Sequence, residues 1–182
     1  MRFTSLSLPD VMRIDLDPIA DERGFFARLF CRDELRQHGI AFEVVQCNNT
    51  FTRQRGSIRG LHFQRPPKAE YKIVRCVRGA ILDVAIDLRR DSATFGQHCS
   101  CELNDNNRSM MLIPPGFGHG FQTLVDDTEL IYLHSESYSR QHEGGVQPTG
   151  PEVAIAWPLP IGDISVRDQQ LPSLTHLEPI QL

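Results

Sequence analysis

Two histidines in glycine-rich segments are candidates for proton transfer. His62 follows Arg59 by three residues in Arg59-Gly-Leu-His-Phe-Gln64, and His119 lies in Pro114-Pro-Gly-Phe-Gly-His-Gly. The unperturbed pKa of histidine is close to neutrality, so an imidazole can take up a proton at physiological pH. The planar guanidinium of arginine binds phosphate and carboxylate groups. If both segments face one pocket, they predict proton abstraction from an anionic substrate.

Most of the chain around these residues is predicted to form short strands. Between about residues 71 and 138, apolar runs alternate with turn-forming residues, which predicts strands at 73–77, 80–87, 98–103, 108–113, 118–124 and 129–135. One helix is predicted at 32–38, closed by Gly39. Strands this short and evenly spaced favour an antiparallel sandwich or jelly roll over a βαβ architecture. The tail is predicted to be extended chain and turns packed against that barrel.

Gln64 disfavours a metal site. Jelly rolls of the double-stranded β-helix class often bind a metal through His-x-His, a downstream Glu and a later His, and Pro114-x-Gly116-x-x-His119 fits the second half of that pattern. Alternate strand residues share a face, so position 64 would supply the second ligand after His62. Glutamine is a poor substitute for imidazole or carboxylate. We therefore expect a site with no metal, and a metalloenzyme is kept as an alternative.

Composition indicates one domain spanning residues 1–182. The chain has no internal repeat or linker, and its formal net charge of −4 gives no basic field for nucleic acid or an anionic membrane. Five cysteines, an odd number without Cys-x2-Cys pairs, predict reduced thiols rather than a disulfide scaffold or zinc site. No apolar run approaches bilayer length and no leader sequence is evident, so we expect a cytoplasmic protein.

Further motifs occur in one order between residue 21 and about residue 172. They are Asp21-Glu-Arg-Gly-Phe-Phe26, Ile58-Arg-Gly-Leu-His-Phe-Gln64, Asp87-Leu-Arg-Arg90, Thr94-Phe-Gly-Gln97, Pro114-Pro-Gly-Phe-Gly-His-Gly-Phe121, Tyr132, Ala156-Trp-Pro158 and Ser165-x-x-Asp168. Together they resemble the nucleotide-sugar 3,5-epimerases, the dTDP-4-dehydrorhamnose 3,5-epimerase family. The resemblance implies a cupin-type jelly roll, mainly β, with a short N-terminal helix and an extended C-terminal tail. It also implies a homodimer that uses no cofactor.

The resemblance further implies a reaction and its residues. Members of the family epimerise the carbons beside the C4 ketone of a nucleotide-linked 4-keto-6-deoxyhexose, in deoxysugar biosynthesis. By resemblance, His62 is the general base, Asp168 orients it, Tyr132 is the acid on the opposite ring face, and Lys72 stabilises the enolate. Arg23 is expected to reach the neighbouring subunit's site. The full set of expected substrate-binding residues is Arg23, Phe26, Arg28, Gln46, Asn48, Arg59, His119 and Tyr138.

These residue types suit that chemistry. A C–H bond beside a ketone is weakly acidic, so a cation or hydrogen-bond donor must stabilise the enolate oxygen as the proton leaves. Inversion needs one group on each face of the sugar ring. The diphosphate needs fixed cationic donors, for which arginine is well shaped. A base, an opposing acid and an enolate donor therefore form one coherent set.

Structural roles are the alternative for several of these residues. Tyr132 fits an apolar strand, Lys72 an edge strand, and Asp168 a turn cap; His119 fits a Pro-Gly turn, and Tyr138 is ambiguous between packing and substrate contact. The remaining histidines are expected to be satisfied core or surface residues, namely His38, His98, His134, His142 and His176.

Three departures from the family pattern bear on the substrate. Family members that use thymidine nucleotides usually carry a glutamate near position 28, where this chain has Arg28. Cytosine presents a bare ring nitrogen that a donor such as arginine can satisfy, so CDP-linked substrates are considered beside dTDP-linked ones. An aspartate of the family is replaced by Cys47, and the loop at 146–151 also differs. Two alternatives therefore remain, a C3-only epimerase and a non-catalytic cupin that binds sugar nucleotides.

Overall fold

A computed structural model describes residues 1–8 and 10–182. Its elements, in chain order, are β1 (Arg2–Ser5), β2 (Met12–Asp15), β3 (Ile19–Asp21), β4 (Gly24–Phe26), α1 (Arg32–Gln37), β5 (Gln46–Thr52), β6 (Ser57–Gln64), β7 (Lys72–Arg78), β8 (Ala80–Asp87), β9 (His98–Asn104), β10 (Met110–Ile113), β11 (Phe117–Thr123), β12 (Thr128–His134), β13 (Glu143–Gly145), β14 (Asp163–Ile164) and α2 (Val166–Gln169). A single 3-10 turn follows at Leu174–His176.

Two sheets form a jelly roll, which confirms the predicted fold class. One sheet has the order β1-β2-β10-β7-β12-β5, and we call it the first sheet; the second sheet has the order β13-β6-β11-β8-β9, with β14 paired to β6 in parallel. Strands β3 and β4 form a separate hairpin. Neighbours in each sheet are mostly distant in sequence, so the fold brings residues from across the chain onto facing strands.

Period-2 alternation along the strands sorts side chains between the interior and the outer faces. Val74 and Cys76 on β7, Leu130 on β12 and Phe121 on β11 belong to one buried apolar cluster between the sheets. At the other end of the same strands, alternate positions carry polar side chains instead, including Lys72 on β7. The interior is therefore apolar at one end and polar at the other, which leaves room for a site.

Two further apolar clusters cover the outer faces of the sheets. Leu35 of α1 and Phe42 pack with Ile73 on the first sheet. Val153 and Ile180 of the C-terminal part pack with Phe63 on the second sheet. These layers shield both outer faces from water and hold β6 and β7, the strands that carry His62 and Lys72, in place.

The predicted elements between 73 and 135 are confirmed within one or two residues at most ends. The helix is also confirmed, and Gly39 adopts a φ of +76° just after it. The prediction for the tail needs a correction, since Asp168 lies in the short helix α2 and not in extended chain. This helix forms because the Ser165 side chain accepts a hydrogen bond from the Asp168 backbone N–H, an N-terminal cap. Within the described ranges, no helix is long and apolar enough to cross a membrane.

Candidate active site

A cavity of about 720 Å³ opens between the two sheets at their polar end. Its volume lies in the range typical of small-molecule sites. Strands β5, β7 and β12 supply one wall, β6 and β11 supply the other, and the segment around α2 closes the edge. The lining residues with polar side chains include Asn48, Thr52, Arg59, His62, Lys72, His119, Tyr132, His134, Ser165, Arg167 and Asp168.

His62 and Asp168 form a hydrogen-bonded pair in this cavity. The distance from His62 Nε2 to Asp168 Oδ1 is 2.7 Å, and Asp168 Oδ2 accepts the backbone N–H of Gly60 at 3.2 Å. The His62 side chain is 37% exposed, whereas that of Asp168 is 5% exposed. Since the carboxylate occupies Nε2, Nδ1 is the ring nitrogen available to a ligand. A buried carboxylate behind a half-exposed imidazole is the arrangement that fixes a tautomer and stabilises an imidazolium.

The Asp168 carboxyl is held in its charged form. Burial acts to raise its pKa, but hydrogen bonding to His62, its charge and the Gly60 N–H outweigh burial, so the pKa of Asp168 lies below its ordinary value. The carboxylate is therefore ionised at neutral pH and supports positive charge on His62.

Tyr132 projects into the same cavity from β12, in the sheet opposite to His62. Burial, followed by the nearby charge of Asp83, raises the pKa of Tyr132 far above its usual value. The phenol is therefore protonated at neutral pH and serves as a donor. Its ring lies 5.9 Å from the His119 ring in an edge-on arrangement, and His119 Nε2 is 2.7 Å from Asp83 Oδ1.

Lys72 supplies a buried cation close to His62. Its ammonium nitrogen lies 3.4 Å from the His62 backbone oxygen and 3.4 Å from Glu70 Oε1, and its side chain is only 11% exposed. A cation in a partly desolvated cavity interacts with developing negative charge more strongly than it would in water.

Two arginines lie among the exposed residues of the lining. Arg59 on β6 donates through Nε to Thr52 Oγ1 at 3.0 Å, and Arg167 on α2 pairs with Glu143 at 2.8 Å. Arg59 was predicted, but Arg167 was missed because its position depends on how α2 packs against β6. Together they give one side of the cavity a positive character suited to phosphate.

The structure brings together some of the predicted site residues and separates others. Those that line the cavity are Asn48, Arg59, His62, Lys72, His119, Tyr132 and Asp168; those outside its lining are Arg23, Phe26, Arg28, Gln46 and Tyr138. Arg23 and Phe26 lie on the exposed β3–β4 hairpin, and Arg28 pairs with Glu34 near the chain start. Gln46 lies two residues before Asn48 on β5, and its Nε2 donates to Asn48 Oδ1 at 3.1 Å.

Gln64, the position expected to carry a metal ligand in related folds, binds the backbone. Its Nε2 donates to the oxygens of Lys68 and Ser137, at 3.1 and 3.3 Å, and its Oε1 accepts the Ser139 N–H at 2.6 Å. The amide therefore fastens the segment after β12 to β6. Across residues 1–8 and 10–182, no group of three or more His, Cys, Asp or Glu side chains is arranged to hold a metal ion.

Besides Arg167, sequence reasoning missed His134 on the cavity wall and Glu70 behind it. His134, expected to be a satisfied structural residue, lines the cavity two positions after Tyr132. Glu70 is buried beside it, with Oε2 2.9 Å from His134 Nδ1. The alternation of β12 was the available signal, since Tyr132 and His134 must share a face.

Comparisons with known proteins find relatives that are similar to this chain in sequence and in fold. The family model described as dTDP-4-dehydrorhamnose 3,5-epimerase matches residues 5–176. The chain is 39% identical over 178 residues to the dTDP-4-dehydrorhamnose 3,5-epimerase of Sinorhizobium fredii, covering 97% of this chain and 91% of that one. It is 38% identical to a dTDP-4-dehydrorhamnose 3-epimerase of Streptomyces niveus, covering 93% and 82%. A crystal structure of the 3,5-epimerase from Bacillus anthracis with TDP and PPi bound has a TM-score of 0.91 at 38% identity, covering 94% and 98%.

Proposed function

Because this chain belongs to the dTDP-4-dehydrorhamnose 3,5-epimerase family, we propose that it is an isomerase that epimerises a dTDP-linked 4-keto-6-deoxyhexose at C3 and C5. The observation that carries the proposal is the pair of His62, backed by Asp168, and Tyr132, which enter one cavity from opposite sheets. Inversion needs one proton acceptor and one proton donor on opposite faces of the sugar.

His62 acts as the general base in this mechanism. Its Nδ1 takes the proton from the carbon next to the C4 ketone, and the electron pair of the broken C–H bond moves to form an enolate with charge on the ketone oxygen. The ionised Asp168 stabilises the imidazolium that results. Lys72 places a cation beside His62, where it stabilises the enolate oxygen.

Tyr132 completes the inversion. Its phenol donates a proton to the enolate carbon from the opposite face, which restores the ketone with the configuration reversed. The phenolate regains its proton from water, and His62 releases the proton that it took. The raised pKa of Tyr132 keeps the phenol protonated before each turnover. The sum of the steps is one proton removed and one proton delivered.

The exposed cations of the lining supply the anchor for the nucleotide part. Arg59 and Arg167 bind the diphosphate, and Asn48 contacts the sugar. His119 lines the pocket beside Tyr132. The TDP bound in the Bacillus anthracis relative supports thymine as the base. The CDP alternative rests on Arg28, which pairs with Glu34 outside this cavity.

A second candidate is epimerisation at C3 alone. The 3-epimerase of Streptomyces niveus matches this chain about as well as the 3,5-epimerases do, with 38% against 39% identity. Both reactions use the same acid and base, so the cavity residues named above support either one. The number of positions that exchange with solvent separates them.

Incubation with dTDP-4-keto-6-deoxyglucose in D2O, followed by NMR of the product, tests the function directly. We expect deuterium at both C3 and C5. Deuterium at C3 alone would establish the 3-epimerase. Binding of the substrate with exchange at neither carbon would show a non-catalytic sugar-nucleotide-binding cupin. A parallel incubation with the CDP-linked sugar tests the base, and faster exchange with CDP than with dTDP would overturn the thymine assignment.

We also propose a homodimer in which the β3–β4 hairpin completes the partner's cavity. Five predicted substrate contacts lie outside the cavity lining of their own chain, and two of them, Arg23 and Phe26, are on this hairpin. The hairpin also exposes Ile19 and Phe26 at 74% and 73%. Mixing Arg23→Ala with His62→Ala protein tests the arrangement. In a closed two-fold dimer, each mixed pair has one intact site, so about a quarter of wild-type activity should return. No recovery in mixed dimers would contradict the shared site.

The substrate class supports a cytoplasmic location, since nucleotide-activated sugars are made from nucleoside triphosphates inside the cell. The product would supply deoxysugar for a surface polysaccharide such as O-antigen, or for a glycosylated metabolite. Loss of the deoxysugar from cell-surface glycan after gene deletion, restored by the wild-type gene, tests the first of these outlets.

A further inference from the structure

Glu70 is a buried carboxylate shared by two side chains of the cavity wall. Its Oε1 lies 3.4 Å from the Lys72 ammonium nitrogen, and its Oε2 lies 2.9 Å from His134 Nδ1. All three side chains are at least 89% buried. An ionised carboxylate only accepts hydrogen bonds, so His134 Nδ1 must carry a hydrogen and donate it.

A chain of hydrogen bonds continues from His134 along β5. Asn48 Nδ2 lies 3.2 Å from His134 Nε2, Gln46 Nε2 donates to Asn48 Oδ1 at 3.1 Å, and the backbone N–H of Tyr138 donates to Gln46 Oε1 at 3.0 Å. In a neutral imidazole with hydrogen on Nδ1, Nε2 is an acceptor. The amide nitrogen of Asn48 is therefore the correct partner for it.

The two ends of this series of hydrogen bonds fix the same donor-to-acceptor direction along it. At one end, the Tyr138 backbone N–H is only a donor, so Gln46 must turn its oxygen towards it. At the other end, Glu70 is only an acceptor, which sets the tautomer of His134 and then the orientation of Asn48. Both constraints agree on which atoms of the two carboxamides face each other. Asn48 is thus left with one defined N–H and one defined lone pair for a ligand in the cavity.

We propose that Glu70 and His134 are positioning residues that set the ammonium group of Lys72 and the carboxamide of Asn48 for the substrate. Glu70 holds Lys72 where the enolate oxygen forms. By accepting the hydrogen bond from His134 Nδ1, Glu70 also sets the tautomer of His134, which in turn fixes the orientation of the Asn48 carboxamide. The proposal rests on the proposed function, because it assigns Lys72 to the enolate and Asn48 to the sugar. Beyond that function, the proposal identifies Glu70 and His134 as the groups that orient Lys72 and Asn48.

Glu70→Gln preserves the size of the side chain but removes one of the two acceptor oxygens that face Lys72 and His134. A carboxamide presents an oxygen to one neighbour and an N–H2 group to the other, so either Lys72 or His134 meets a donor instead of an acceptor. We expect kcat to fall about tenfold or more, because a displaced cation stabilises the enolate poorly. The matched control is Glu136→Gln, which removes the charge of an exposed pair with Lys68 at 3.0 Å. It should leave kcat and KM within about twofold.

His134→Asn separates the two ends of the chain. The shorter carboxamide keeps a donor for Glu70 but cannot reach Asn48. Lys72 then stays in place, so kcat should remain within about twofold, while KM rises about fivefold because Asn48 is free to flip. Equal behaviour of Glu70→Gln and the Glu136→Gln control would overturn the proposal, as would an unchanged KM in His134→Asn. If Glu70→Gln does not fold, the His134→Asn kinetics decide.

The tautomer of His134 gives a readout independent of turnover. In ¹⁵N-histidine spectra, assigned by the signal missing from His134→Asn, we expect a neutral ring with hydrogen on Nδ1. Hydrogen on Nε2 would overturn the positioning role while leaving the epimerase function untouched. Conversely, the Nδ1–H tautomer in a protein that exchanges no deuterium would contradict the proposed function and leave the hydrogen-bond chain standing.

Discussion

Two of the three histidine–carboxylate pairs described at the cavity have the same geometry but opposite shifts in the carboxyl pKa. In each, the histidine Nε2 lies 2.7 Å from an aspartate Oδ1, namely Asp168 for His62 and Asp83 for His119. Yet the pKa of Asp168 is lowered and the pKa of Asp83 is raised. The same histidine–aspartate distance therefore accompanies a lowered carboxyl pKa in one pair and a raised carboxyl pKa in the other.

The second oxygen of each carboxyl explains the difference. Asp168 Oδ2 accepts the Gly60 N–H, so several donors stabilise its charge. Asp83 is fully buried, and its Oδ2 has no hydrogen-bond partner among the residues that the structure describes. Burial without enough donors disfavours the charged form, which raises the pKa of Asp83 even with His119 beside it. The distance between a histidine and a carboxylate does not by itself identify a catalytic pair.

The comparison predicts that the largest loss of activity follows from removing His62. His62→Ala should reduce deuterium exchange by about 10³-fold, since general bases contribute about 10²–10⁴-fold. His119→Ala should reduce it less, because His119 is not the proposed proton acceptor. Exchange rates in D2O for both proteins measure the difference. Equal losses would erase the distinction between the pairs, and full activity in His62→Ala would refute the mechanism.

Asp168→Asn should have the next largest effect, about a 10²-fold loss of kcat, because an amide cannot stabilise an imidazolium. It should also change stability with pH. A lowered carboxyl pKa contributes stability above its unfolded value near 4, and that contribution is lost as pH falls through the folded pKa. The melting temperature of wild type relative to Asp168→Asn should therefore fall as the medium is acidified below about pH 4.

Asp83→Asn should have the smallest effect and the opposite pH trend. A raised carboxyl pKa means that the fold favours the protonated acid, and this stabilisation is lost as pH rises from about 4 through the raised pKa. The melting temperature of wild type relative to Asp83→Asn should therefore fall with rising pH. We expect activity within about tenfold of wild type, since asparagine resembles the neutral acid. Parallel pH trends in Asp83→Asn and Asp168→Asn would contradict the assigned pKa directions.

Local pattern was enough to predict the strands from residue 73 onward and the helix before Gly39. Hydrophobic alternation and turn-forming residues determine local structure over a few positions, and the strands and the helix predicted from them are present in the structure. The strands before residue 57 were not predicted, because their mixed polar sequence alternates weakly. Strand β6 was assumed only for the positions of His62 and Gln64. The family resemblance proposed His62, Lys72, Tyr132 and Asp168 together, and the structure places all four at one cavity.

Contacts set by long-range pairing were beyond the sequence. Glu70 and His134 are hydrogen-bonded across 64 positions of sequence, and His119 and Asp83 across 36. No local sequence pattern in these segments indicates which residue is the partner. Arg23 and Phe26 show a different limit. Their motif resembles the family's, but one chain alone leaves them on an exposed hairpin, so their expected role in substrate binding depends on the proposed homodimer.

The separation of 106 positions between His62 and Asp168 has a consequence for biosynthesis. The imidazole is synthesised 106 positions before the carboxylate that is proposed to orient it. Strand β14 and helix α2 must then dock onto a β6 that is already built. A nascent chain stalled before residue 163 would therefore hold the base but not its support. We therefore expect the proposed proton transfer to need a chain synthesised past α2.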